Sequence, residues 1–261
     1  MMQGLEVSSV SDEWDFYFTR VNDVLASVFV DLGIRKSVPD SERPWQLWVC
    51  VHCRSPRENG LSSSEEAPIL FKIEDALGES VRSACEAAYV GRITTAGRRE
   101  LYFYGPNTAG FGEAVTQAMC RFPEYEFDFG TKRDAKWLQY LKVLYPTPED
   151  FERIRNHHTI EAFEKHGDSL QSPRLVSHWI YFENPEDRTA FIAEATACSF
   201  TVKSESTSDD EIHARPYGVI VERIDRLDPD SINQATLTLF RFAKKANGDY
   251  DGWEAPVLND S

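Results

Sequence analysis

The chain has no apolar run approaching the ~20 residues that a membrane span requires. Its opening Met1-Met2-Gln3-Gly4-Leu5-Glu6 lacks a basic stretch with an apolar core behind it. Neither anchor nor secretory leader is expected, so the chain reads as cytoplasmic. Cysteine is scarce: five, an odd number scattered over 261 residues, suits a reduced compartment better than a disulfide framework. Positive charge is in deficit, with 28 Lys and Arg against 43 Asp and Glu leaving −15. Cut at Tyr145, the first part holds 21 acidic and 16 basic side chains and the second 22 and 12, so the shorter part carries −10. That field repels phosphate backbones and disfavours direct nucleic-acid binding; a basic protein surface is the partner it would attract. Apolar material, by contrast, is ample. At 41% hydrophobic and 12% aromatic, the chain can bury two cores.

Periodicity places the elements. Trp14, Phe16 and Phe18 alternate along an opening strand, and Val24–Leu32 is its hairpin partner across Asn22-Asp23. After a polar loop, Trp45–Cys53 is a strand, Pro68–Ala88 a helix, Tyr89–Thr95 and Arg98–Gly105 a hairpin about Ala96-Gly97. Phe111–Phe122 is a second helix, and Tyr125, Phe127 and Phe129 alternate on a last strand. Tyr145-Pro146-Thr147-Pro148 breaks the chain and starts a helix running to His166. Arg174–Phe182 is then a strand, Asn184 opens a helix ending near Cys198, and Phe200–Ser206 and Tyr217–Ile224 are strands. A helix from Asp228 or Asp230 ends at Asn247-Gly248, and Tyr250–Ala255 closes the order. Both halves read β-α-β-β-α-β. The expected fold class is therefore α+β, two tandem ferredoxin-like units, the first with an extra N-terminal β-hairpin. The expected domains are 1–145 and 146–261.

Motifs that invite chemistry fall short of a mechanism. Cys50-Val51-His52-Cys53 has the CxxC spacing of a zinc or redox site, but it lies on a strand, where Cys50 and Cys53 point to opposite faces. Gly167-Asp168-Ser169-Leu170 spells a string found in serine hydrolases. Here it follows a helix, with Gly167 as its stop and Asp168-Ser169 as loop. His157-His158 lies mid-helix with Glu161 one turn on, a solvated face rather than a metal site. Tyr217–Glu222 lacks the aromatic signature of RNA-recognition strands. No cofactor or metal is expected, and the chain is read as non-enzymatic. The competing class is an enzyme with its site in the N-terminal domain or the cleft between domains, resting on His52 near Cys50 and on the Arg98-Arg99-Glu100 turn.

The strand Arg174–Phe182 carries apolar residues on both faces: Val176, His178, Ile180 and Phe182 on one, Leu175, Trp179 and Tyr181 on the other. Both faces should be covered, one by the unit's helices. The candidates for the other are the Thr147–His166 helix, the N-terminal domain or another protein, with burial within the chain expected.

Near the C-terminus stands Gly248-Asp249-Tyr250-Asp251-Gly252-Trp253-Glu254-Ala255-Pro256. With an upstream Gly-Asp pair, Pro173-Arg174 and the Ser177-His178 step, it resembles the family of the regulator of ribonuclease E activity B over roughly Pro148–Val257. The first half, opening Glu13-Trp14-Asp15-Phe16-Tyr17-Phe18 and continuing to Val28-Phe29-Val30-Asp31-Leu32-Gly33, resembles a bacterial domain of unknown function, number 695. The first resemblance implies a ferredoxin-like domain that binds ribonuclease E and restrains RNA decay without chemistry of its own. An acidic surface near the last strand is expected to dock a basic partner, with Tyr250, Asp251, Trp253, Glu254, His178, Trp179 and Tyr181 as the candidate partner-binding residues; the alternative is that the run only closes the fold, with Trp253 in the core. Because the last strand of such a fold lies beside the first, Asp251 is expected to reach His178.

Overall fold

A computed structural model describes residues 13–208 and 214–258 and divides the chain into two compact units, Met1–Asp150 and Phe151–Ser261. In the first unit β1 (Trp14–Val21) and β2 (Val24–Asp31) form a hairpin. They are followed by β3 (Trp45–His52), α1 (Ala67–Cys85), β4 (Ala88–Thr95), β5 (Arg98–Gly105), α2 (Phe111–Met119) and β6 (Phe127–Arg133). The six strands form one antiparallel sheet in the order β1-β2-β4-β5-β3-β6. From β3 onward this is the ferredoxin-like arrangement, with the hairpin added beyond β4. Leu47, Val49 and Val51 of β3 pack with Leu70, Leu77 and Val81 of α1 and with α2 on one face.

The other face of this sheet has a cover that periodicity did not reveal. A turn of π-helix at Tyr140–Leu144 follows Trp137, and both aromatics are fully buried. The Trp137 ring stacks on Tyr104 of β5 at 3.8 Å, and the Tyr104 hydroxyl donates to Asp134 at 2.6 Å. The Tyr140 hydroxyl donates to the Asp31 carbonyl at 2.7 Å, and that of Tyr17 to the Leu144 carbonyl at 3.0 Å. Four large side chains thus fasten a short segment with no helical period of its own.

The second unit contains most of α3 (Pro148–Lys165), then β7 (Arg174–Phe182), α4 (Pro185–Ala197), β8 (Thr201–Thr207), β9 (Tyr217–Asp225), α5 (Pro229–Lys245) and β10 (Asp249–Glu254). The order β10-β7-β9-β8, antiparallel throughout, is again ferredoxin-like. Capping explains both crossover helices. The Asn184 side chain accepts from Asp187 N at 2.9 Å and that of Asp228 from Ser231 N at 3.0 Å, each followed by proline in the first turn. Ile180, Phe182, Val219 and Val221 bury against Phe191 of α4 and Leu239 of α5.

Candidate interaction surface and the strand that frames it

Along a regular strand, residues three apart face opposite ways. Tyr250 and Trp253 of β10 do not. Tyr250 pairs with Ile180 and Trp253 with His178, and between them the register shifts at a β-bulge. Asp251 is the extra residue, and Gly252 takes φ +149°, a conformation that side-chain-bearing residues rarely adopt. The bulge restores parity, so both rings meet the helical side of the sheet. The Asp-Gly step is what lets the Tyr and Trp work on one face.

Each ring then has a buried partner. The Tyr250 hydroxyl lies 2.8 Å from His178 Nδ1. His178 is fully buried, its other nitrogen has no hydrogen-bond partner, and its ring meets Phe200 edge-on. Burial, with the charge of Arg223 adding to it, lowers its pKa from 6.5 to about 3, so the imidazole is neutral. The expected Asp251–His178 pair is not formed: His178 bonds Tyr250, and Asp251 is exposed on the bulge. Trp253 Nε1–H donates to Asn156 Oδ1 of α3 at 2.8 Å, and its ring lies parallel to Phe163 at 5.8 Å. Asn156 in turn donates to Thr236 Oγ1 of α5 at 2.7 Å and to Asn233 Oδ1 at 2.9 Å. Helix α3 therefore packs beside α5 on the helical face. It does not cover the Trp179 side, as it was a candidate to do.

A buried ion pair holds the ends. Arg174, first residue of β7, binds Asp168 through both terminal nitrogens, with Nη2 to Oδ1 at 2.9 Å. Asp168 also accepts from Leu170 N and Leu258 N at 2.8 and 2.7 Å, and Arg174 donates to the Pro256 carbonyl at 3.1 Å. These donors, Arg174 foremost, lower the Asp168 pKa to about 2. Asp168 is thus consumed in structure, while Ser169 beside it is exposed. Asp210-Glu211-Ile212-His213, which has the Asp-x-x-His spacing of a hydrolase base pair, lies outside the described residues. The Gly-Asp, Pro-Arg and Ser-His steps and the Tyr-Asp-Gly-Trp run converge on one task, fixing β10 and its flanks.

The opposite face of the same sheet is open in part. Leu175 and Ile224 are 43% and 68% exposed, Trp179, Tyr181 and Ile220 half-buried. The expectation that both faces be fully covered is not met at Leu175 and Ile224. Gly218 sits under the Tyr181 ring, where an added Cβ would lie 3.2 Å from it. Lys203, the bulge residue of β8, reaches across to Ser177 Oγ at 3.2 Å and Glu222 at 3.8 Å. Glu254 is exposed on β10. The seven residues named from the sequence therefore divide. His178, Tyr250 and Trp253 face the helices, Trp179 and Tyr181 the open face, and Asp251 and Glu254 solvent.

In the first unit, the register aligns Cys50 of β3 with Glu100 and Asp128, and His52 with Arg98. His52 Nε2 lies 3.0 Å from Asp128 Oδ2 at a shallow recess of about 360 Å³ lined also by Tyr125 and Phe127. Burial pushes the thiols of Cys50 and Cys53 up to about 11. Cys53 packs against the helical core with Val49 and Val51, whereas Cys50 lies between Glu100 and Asp128 and outside that core, as expected for opposite faces. A neutral thiol beside an exposed His–Asp pair is not an activated nucleophile. Among the described residues no group of three or more His, Cys, Asp or Glu is arranged to hold a metal, and no helix is long and apolar enough to cross a membrane.

These features define a protein of two tandem ferredoxin-like units, the second closed by a bulged aromatic strand. The chain belongs to the family of unknown function DUF695, whose model matches residues 12–145. Residues 153–255 match the model of the regulator of ribonuclease activity B. A search of curated proteins gave no match. Among solved structures, an unknown protein from Galdieria sulphuraria is 10% identical, with 83% of this chain and 100% of that chain covered at a TM-score of 0.24. A putative glycine cleavage system transcriptional repressor is 8% identical, covering 81% and 98%, at 0.23.

Proposed function

We propose that the C-terminal unit is a non-catalytic module that binds a basic protein surface and modulates a ribonuclease, ribonuclease E foremost. The match of residues 153–255 to a ribonuclease regulator carries this reading. Its support is physical. Trp179, Tyr181 and Ile220 give the apolar centre that interfaces concentrate their energy in, with Leu175 and Ile224 beside them. Glu254 and Asp251 are exposed on the adjoining edge strand, in a region with ten excess negative charges. Acidic groups at a rim steer a basic partner and fix its orientation. A partner engaged in RNA decay puts this chain in the cytoplasm.

The test is a pull-down of purified ribonuclease E by the full chain, followed by an RNA-cleavage assay with and without it. Binding that weakens with salt and slows cleavage supports the proposal. Absence of binding, or binding with unchanged cleavage, removes it. The Ile224→Asp variant, at the most exposed apolar side chain of that face, should weaken binding while unfolding close to the temperature of the unsubstituted chain.

A further inference from the structure

The N-terminal unit builds a buried polar cluster by the same device as β10. In β4 the register shifts between Tyr89 and Gly91, and Gly91 takes φ +146°. A Cβ there would lie 2.5 Å from the Phe29 carbonyl oxygen, so the position is restricted to glycine. Tyr89 and Arg92, three apart, therefore both face α1 and meet Glu74 there. Glu74 accepts from the Tyr89 hydroxyl at 2.7 Å, Arg92 Nε at 2.6 Å and Arg99 Nη1 at 3.1 Å. Arg99 Nε donates to Thr94 Oγ1 at 3.2 Å.

The charges do not balance. Burial pushes the Tyr89 phenol well above 10, so it is neutral. Two guanidiniums then share one carboxylate, and the cluster holds a surplus of one positive charge. The side chains of Arg92 and Arg99 are only 11% and 4% exposed, where an unmatched charge is costly. The hydrogen bonds of the cluster engage Arg92 through Nε and Arg99 through Nε and Nη1. The two terminal nitrogens of Arg92 and Nη2 of Arg99 are not sealed from water, since none is a buried atom without a partner. In front stands Phe71 of α1, 46% exposed, its ring 5.4 Å from the Arg92 guanidinium and 4.9 Å from that of Arg99. Phe29 lies 4.7 Å from Arg92.

We propose that Arg92 and Arg99 form a receptor for one carboxylate of a small organic acid whose apolar part lies against Phe71. A monoanion neutralises the surplus, whereas a dianion would leave excess negative charge beside Glu74. The planar fork of a guanidinium with both terminal nitrogens free matches a carboxylate bidentately. The exposed ring supplies apolar contact next to that fork. The inference concerns the N-terminal unit alone and stands or falls independently of ribonuclease binding.

The experiment titrates the full chain with sodium benzoate at constant ionic strength, by calorimetry and by NMR of the arginine Nε–H groups. Benzoate should bind saturably and shift the Arg92 Nε–H resonance; acetate, which lacks the ring, should bind more weakly. Inorganic phosphate at pH 8, a dianion, should bind more weakly than benzoate. Arg92→Lys keeps the charge but loses the fork and should weaken benzoate about tenfold or more. Phe71→Ala should bring benzoate to the acetate level. Non-saturable benzoate signals, an unmoved Arg92 resonance, or undiminished affinity in Arg92→Lys each overturns the proposal. Should Arg92→Lys fail to unfold cooperatively, the resonance in the unsubstituted chain and the Phe71→Ala comparison decide.

Discussion

Acid should loosen the C-terminal unit through His178, beginning as the pH falls below 6.5. Its pKa falls from 6.5 to about 3 on folding, because the ring is buried and Arg223 is near. A lowered histidine pKa means that the unfolded chain takes up a proton first. The group's contribution is fully present above pH 6.5 and is lost as pH falls from there towards 3. Each pH unit in that window costs about 1.4 kcal/mol, and the whole span about 5 kcal/mol. By pH 4.5 the loss is about 3 kcal/mol, a large share of the 5–15 kcal/mol typical of a domain. Asp168, lowered to about 2, does not contribute until the pH nears 3.8. Glu152, raised by burial, acts in the opposite sense, so the comparison is with a variant rather than with an absolute slope. His178→Gln retains a polar group for the Tyr250 hydroxyl but cannot titrate. Amide protection of β7 and β9 in the full chain, corrected for intrinsic rates, should fall steeply from pH 6.5 to 4.5. In the variant the slope should be shallower by about one proton. Identical slopes in the two proteins, or a His178 ring resonance that titrates near 6.5, would refute the reasoning.

Three further outcomes are expected. Gly252→Ala should cost about 1–3 kcal/mol, since a Cβ is strained at φ +149° although no neighbour crowds it; thermal unfolding measures this, and an unchanged midpoint would show the bulge to be adaptable. Arg174→Met should cost about 3–5 kcal/mol by leaving Asp168 buried and unpaired, with Asp168→Asn in the same chain recovering part of it; equal loss in the single and double variants would argue against the pair. Iodoacetamide at pH 8 should label exposed Cys120 before Cys50 and Cys53, whose thiols at about 11 hold on the order of one part in a thousand as thiolate; peptide mapping reads the order, and prompt labelling of Cys50 would contradict it.

The element order was legible because each strand or helix carries its own period and its own stops. Asp228-Pro229 and Asn184-Pro185 announce helices locally, and the structure starts α5 and α4 there. The β6 strand was displaced: alternation at Tyr125, Phe127 and Phe129 placed it early, whereas pairing with β3 runs it from Phe127 to Arg133. The cover of the first sheet was not legible, because Trp137, Tyr140 and Leu144 are held by Tyr104, Tyr17 and the Asp31 carbonyl, distant in sequence. At the last strand, the sequence showed an unusual Tyr-Asp-Gly-Trp run and its family, but simple alternation would have split its two rings between opposite faces.

By itself, then, the sequence determined what acts over a few residues: hydrophobic period, caps, glycine stops, the acidic excess and the order β-α-β-β-α-β repeated twice. Tertiary structure decided which distant groups meet. It put Tyr250, rather than Asp251, on His178, joined Asp168 to Arg174, laid α3 beside α5, and gathered two arginines on Glu74. The reason is one of range. A β-bulge changes the facing of every later side chain by inserting one residue, and whether it forms depends on the neighbouring strand and on the burial its rings gain there.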